Sequence, residues 1–114
     1  MSDDAIDMTE VMERVQDDKE LLMELLQIFL EDFTDKRKTL QEAVSTQNFE
    51  EVKSIGHSMK GASGNISAKK LRLSFIELEQ MGKTQNLSQA GQVLSAIDEQ
   101  MNELKDFIEK KLKK

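Results

Sequence analysis

The sequence predicts an all-α protein: an antiparallel four-helix bundle with a short N-terminal helix as a lid, in a single domain over residues 1–114. Three observations predict it. No proline occurs anywhere, so nothing interrupts the i→i−4 hydrogen-bond ladder. Apolar residues recur at steps of three and four, the period of a helix with one buried face. Three segments open with Asp or Asn followed three residues later by Glu: Asp7/Glu10, Asp17/Glu20 and Asn48/Glu51. At that spacing the first side chain can cap a free backbone N–H while the glutamate reaches back.

These start signals place a short helix near Met8, a long one near Asp18 and a third near Phe49. The long helix carries Leu22, Leu26, Phe29, Phe33, Leu40 and Val44 on one side and runs to about Thr46. A fourth helix is expected after Ser67 as its N-cap, with Leu71, Phe75 and Leu78 inward; Gly82 through Leu87 read as its fraying end and a turn. Ser88 is placed as the cap of a fifth helix. Its Ala90, Leu94, Ile97, Met101, Leu104 and Ile108 alternate steps of four and three, a coiled-coil-like seam suited to helices crossing at a shallow angle. Four long amphipathic helices with short connections close most simply as an antiparallel bundle.

Composition narrows the function classes. A chain of 114 residues, 38% hydrophobic and 33% charged, affords a modest core and too little interior for a large cofactor. It has no cysteine, hence no disulfide or thiolate metal site, which fits a reducing cytoplasm. The net charge of −6 leaves no basic field for nucleic acid. Lys110, Lys111, Lys113 and Lys114 read as favourable charge at the end of a helix dipole. Asp3 and Asp4 rule out the basic n-region of a signal peptide, and the start Met1-Ser2-Asp3 reads as a natural beginning. The apolar run Leu21–Leu30 is broken by Glu24 and Gln27, so no membrane span is expected.

The third helix holds the one histidine of the chain, His57. At roughly 100° per residue, Phe49, Val52, Ile55, Met59, Ala62 and Ile66 fall in one arc, and His57 lies almost opposite its centre. The imidazole is therefore expected to face solvent beside Glu50, Lys53, Ser54, Lys60, Gly61 and Gly64. A glycine inside a helix costs about 1 kcal/mol against alanine. Gly61 and Gly64 thus either admit a partner's surface close to the ring or mark a helix end near Asn65. A nearby cation disfavours imidazolium and can pair with a phosphoryl group once attached. Lys60 has the reach for both; Lys53 is the weaker candidate because Glu50 can neutralise it. One histidine and no cysteine offer no transition-metal site. There is no phosphate-binding P-loop, glycine-rich ATP lid or kinase signature.

The string His57-Ser58-Met59-Lys60-Gly61-Ala62-Ser63 resembles the motif of the histidine-containing phosphotransfer (HPt) family: His, any residue, apolar, Lys, Gly, small, small. The upstream Leu25-Leu26…Phe29…Phe33 pattern, Asn48-Phe49, Leu71, and Glu79 near Gly82-Lys83 extend the resemblance over roughly residues 10 to 105. One departure is Ser67, where many family members carry glycine ten positions after the histidine. The resemblance implies an HPt-like bundle and a phosphocarrier that is not itself an enzyme. His57 would take a phosphoryl group from a receiver-domain aspartate, through Nε2, and pass it to another receiver. Lys60 would supply the electrostatics and Gly61 the steric access, with Lys53 and Gly64 supporting. No cofactor is expected on this chain; Mg²⁺ would sit on the receiver. Implied partners are response-regulator receiver domains and a hybrid histidine kinase, served by a cytoplasmic monomer. Ile6, Met8, Val11 and Met12 are candidate docking anchors, or else the inward face of the lid. The alternative function is a helical adaptor that binds a signalling partner without being phosphorylated.

Overall fold

Side chains begin the first three helices of the computed structural model, which describes residues 5–113. Asp7, Asp18 and Asn48 each accept a hydrogen bond from the backbone N–H three residues on, at 3.0, 3.0 and 3.2 Å. They open α1 (Met8–Arg14), α2 (Lys19–Ser45) and α3 (Phe49–Asn65). The long helix is thus capped by Asp18 and not by Asp17, whose φ of 62° belongs to the preceding turn. Two further helices follow, α4 (Lys69–Thr84) and α5 (Ala90–Phe107), and α5 runs into a π-helical turn, Ile108–Leu112. The structure is 83% helical, and no strand occurs among the described residues. Asp3, Asp4 and Lys114, to which the sequence assigns terminal charge, lie outside the described residues.

The ends of α1 to α4 share one device. Gln16, Gln47, Ser67 and Gln85 each adopt a left-handed φ of 54 to 57°. At each, the residue's own N–H and that of the next residue bond back into the last helical turn, the two-bond Schellman closure. No glycine has positive φ. The left-handed closures thus fall to other residues, and two expectations are corrected. Gly82 is not in a turn but buried within α4, and Ser67 ends α3 instead of capping α4. The N-cap of α4 is Ala68, with no side-chain cap bond. Ser88 likewise does not cap α5: its backbone N–H donates to Asn86 Oδ1 at 3.1 Å, and Gln89 is the N-cap.

The core is one cluster drawn from every helix. From α2 come Leu22, Leu26, Phe29, Phe33 and Leu40; at its C-terminal end Ala43 is buried, and Val44, expected inward, is half-buried. Val52, Ile55 and Met59 enter from α3, Leu71, Phe75 and Leu78 from α4, and Leu94, Ile97, Met101 and Leu104 from α5 with Ile108 from its π-helical turn; Ala90, the first residue of the expected seam, is buried as well. Phe33 and Phe75 meet edge to face at a centroid separation of 6.1 Å. Arg37 of α2 ties to Asp98 of α5 by two parallel bonds of 2.8 and 2.9 Å.

Packing also decides between two roles for the N-terminal segment. Ile6 and Val11 are 1% and 0% exposed, so they are core and not docking anchors. Met8 and Met12 are half-buried against the same core. The segment is a lid, fastened at the α3–α4 turn: the Asp7 N–H donates to the Ser67 carbonyl at 3.0 Å, and the Ser67 hydroxyl donates to Glu10 at 2.8 Å.

The closest helix pair is α3 with α4, and two glycines make it so. A Cβ on Gly56 would stand 2.6 Å from the backbone nitrogen of Glu79. A Cβ on Gly82 would stand 2.6 Å from the backbone nitrogen of Lys53 and 2.7 Å from the Phe49 carbonyl oxygen. Each helix thus presents its bare backbone to the other at one point of the crossing.

Candidate functional site

His57 sits mid-way along α3 on the side away from Val52, Ile55 and Met59, and its side chain is 69% exposed. The Gly56 contact brings the backbone of α4 against α3 one residue before it, at the level of Glu79. That proximity lets the Glu79 carboxylate, only 9% exposed, reach the ring: Oε2 lies 2.9 Å from Nδ1 of His57. The other oxygen, Oε1, accepts from Lys60 Nζ at 2.7 Å, and Lys83 Nζ stands 3.8 Å from Oε2.

The electrostatics follow from this clustering. The Lys60 hydrogen bond, opposed by burial and reinforced by His57 and Lys83, pulls the Glu79 carboxyl down to about 2. Glu79 is therefore ionised at any ordinary pH and can only accept. Its contact with a neutral imidazole requires the hydrogen on Nδ1, which leaves the lone pair on Nε2, the ring nitrogen further from the backbone. The arrangement is an oriented, solvent-facing nitrogen nucleophile, with a fixed anion behind it to stabilise positive charge developing on the ring and two cations alongside.

The other residues singled out by sequence fall into place around this centre. Lys60 shares a carboxylate with His57 and does not stand alone as a free cation beside the ring. Lys53 is paired with Glu50 at 3.0 Å, the neutralisation its spacing allowed. Gly61 is helical and exposed, and a Cβ there would meet no atom within 4 Å. Gly64 is helical too, but it is the penultimate residue of α3, whose end at Asn65 falls where the alternative reading put it; beside it lies the side chain of Arg72. Among the described residues no group of His, Cys, Asp or Glu is arranged to hold a metal ion.

Sequence reasoning left Glu79 as a family landmark without a role. A signal was present. Glu79 lies four residues after Phe75 and three before Gly82, inside the inward stripe Leu71, Phe75, Leu78 and Gly82. A carboxylate in an apolar stripe demands a buried partner.

The bundle is all-α and holds one imidazole outward by its inner nitrogen. The family model for the Hpt domain matches residues 24–107, and the chain belongs to that family. Comparison with curated proteins and with solved structures gives no match. Hpt domains are phosphocarriers of phosphorelays; they work with receiver domains and histidine kinases and have no kinase activity of their own. No helix among the described residues is long and apolar enough to cross a membrane.

Proposed function

We propose that His57 is the phospho-acceptor of a relay in which this chain takes a phosphoryl group from a receiver-domain aspartate and passes it to a second receiver. The Nε2 lone pair forms the P–N bond as the P–O bond of the aspartyl phosphate breaks and the aspartate leaves as carboxylate. The return step on the second receiver is the reverse. Phosphoryl transfer through a loose transition state needs alignment and charge neutralisation more than covalent help. Mg²⁺ and the acidic cluster that binds it belong to the receiver. On this chain Glu79 holds the ring and offsets its positive charge, Lys60 offers a cation to the phosphoryl oxygens, and Gly61 leaves room for the incoming surface. Lys53 and Gly64 flank the site. Operating between receivers and a hybrid histidine kinase, the carrier acts as a cytoplasmic monomer.

The observation that carries this reading is the Nδ1 contact of 2.9 Å with an ionised, nearly buried carboxylate, which frees Nε2 on the exposed side of the ring. The test uses a receiver charged with acetyl phosphate. Wild type should acquire acid-labile, base-stable label, and His57→Gln should acquire none while melting like wild type, as an exposed substitution does. Label on the variant would move the acceptor elsewhere.

A further inference from the structure

On the face of α3 that carries His57, Gly61 and Gly64 follow at one and two turns, and Gly64 lies about 10 Å along the axis from the histidine. A Cβ on Gly64 would stand 3.5 Å from both Cδ and Nε of Arg72. That is ordinary van der Waals contact, so this α4 side chain lies directly against α3 at Gly64, with its guanidinium end on the histidine's side of the bundle. Between the two, Gly61 is bare. The head group borders a groove of about 510 Å³ that also takes in Glu10, Arg14 and Lys69.

Charge in that groove is unbalanced. Glu10 is satisfied by the Ser67 hydroxyl at 2.8 Å and by Lys69 and Arg14 at 3.0 and 3.6 Å, and Lys69 also reaches Asp7 at 3.4 Å. The Arg72 guanidinium has no hydrogen-bond or ion-pair partner among the described residues, and the residue is exposed. An unmatched guanidinium on a chain of net charge −6 runs against the overall field.

We infer that Arg72 is a second recognition point for the receiver, taking an acidic side chain on that partner's surface while His57 meets the phosphorylated aspartate. The inference rests on the phosphotransfer reading. A specific interface covers about 800 Å² per partner, so a surface laid over Gly61 reaches both groups. The planar fork of arginine suits a carboxylate, and a charge at this distance from the chemistry acts on encounter and orientation instead of on the transfer step.

The test takes whichever of a panel of acetyl-phosphate-charged receiver domains transfers fastest to wild type. Arg72→Gln should raise the half-saturating receiver concentration about tenfold, leave the saturated rate unchanged and flatten the dependence on salt. Arg72→Glu should be worse, and Arg72→Lys should recover part of the loss. Direct phosphorylation of His57 by phosphoramidate, a donor without a protein surface, should be the same in all four proteins. Wild-type half-saturation and salt dependence in Arg72→Gln would overturn the inference and leave phosphotransfer standing. A loss of phosphoramidate labelling in the variants would also overturn it, because the effect would then lie in the histidine itself. Wild type that takes no label from any receiver would overturn the phosphotransfer reading, and the inference with it.

Discussion

The ring of His57 is aimed by a residue on the neighbouring helix, and one carboxylate serves both that ring and Lys60. Glu79→Gln should therefore do two things at once. It removes a charge-assisted hydrogen bond to the ring, so transfer from a charged receiver should fall by about 10- to 100-fold. It also leaves the half-buried Lys60 unpaired, so the melting temperature should fall. The pH dependence has a definite sign. The Glu79 carboxyl is held at about 2 in the fold against an ordinary 4.5. Its stabilisation is complete above the ordinary value and is lost as pH drops through the folded one. Urea unfolding across that acid window should show a shallower loss of stability in Glu79→Gln than in wild type. Equal slopes would mean the carboxylate is not held by Lys60 and His57. At Gly61 stability and transfer should part company. With helical, negative φ and no atom near a Cβ, Gly61→Ala should stabilise by about 0.4–1 kcal/mol. Its methyl stands one turn from the imidazole, so transfer should slow. A thermal melt beside a transfer assay reads both.

At the scale of elements, the decisive contact is the α3–α4 crossing. Gly56 and Gly82 are each pressed against backbone of the opposite helix, and backbone cannot swing aside as a side-chain tip can. Gly56→Ala must part the helices, at a cost of about 1–3 kcal/mol. The same displacement carries Glu79 away from His57, so transfer in the folded fraction should slow as well. Stability measured by urea unfolding, with the imidazole signals in NMR reporting the ring's environment, checks both effects. An alanine variant as stable as wild type would mean that the helices are not held at this spacing. The contrast with Gly61 is instructive, because the same substitution in the same helix is expected to act with opposite sign. The turns add a second point. Left-handed positions occupied by Gln16, Gln47, Ser67 and Gln85 carry strain that glycine would relieve. At Ser67 the strain comes with a gain, since the hydroxyl holds Glu10 of the lid.

In the whole molecule the short helix α1 is structural. Val11 is fully buried, and Ile6 and Val15 enter the same core as the long helices. Val11→Ala should cost about 1.5–3 kcal/mol in urea unfolding and leave the transfer rate of the folded protein unchanged. A variant of unaltered stability that transfers slowly would restore this segment as a docking surface. The 27 residues of α2 span about 40 Å, matching the longest extent of 42 Å, so this helix sets the length against which the other three pack.

Periodicity, capping spacing and the lack of proline were enough to determine an all-α bundle, the caps of α1 and α3, the start of α2 to within a residue and the outward direction of His57, because each is a property of neighbours along one helix. Motif resemblance carried the family. What the tertiary structure decided are matters between helices. Glycine spacing along α3 and α4 could not separate a helix end from a helix contact, since a missing side chain serves both; only the opposing backbone shows that Gly56 and Gly82 are contacts while Gly61 is open. The inward stripe of Ile6 and Val11 had two surfaces it could meet, and the core was the one that buried it. Ser67 looked like a cap by residue type, but Schellman closure at the end of α3 required a left-handed residue there, and the bond to Glu10 holds its hydroxyl. The role of Glu79 depended on a partner 22 positions away in sequence, a separation across which no local pattern operates.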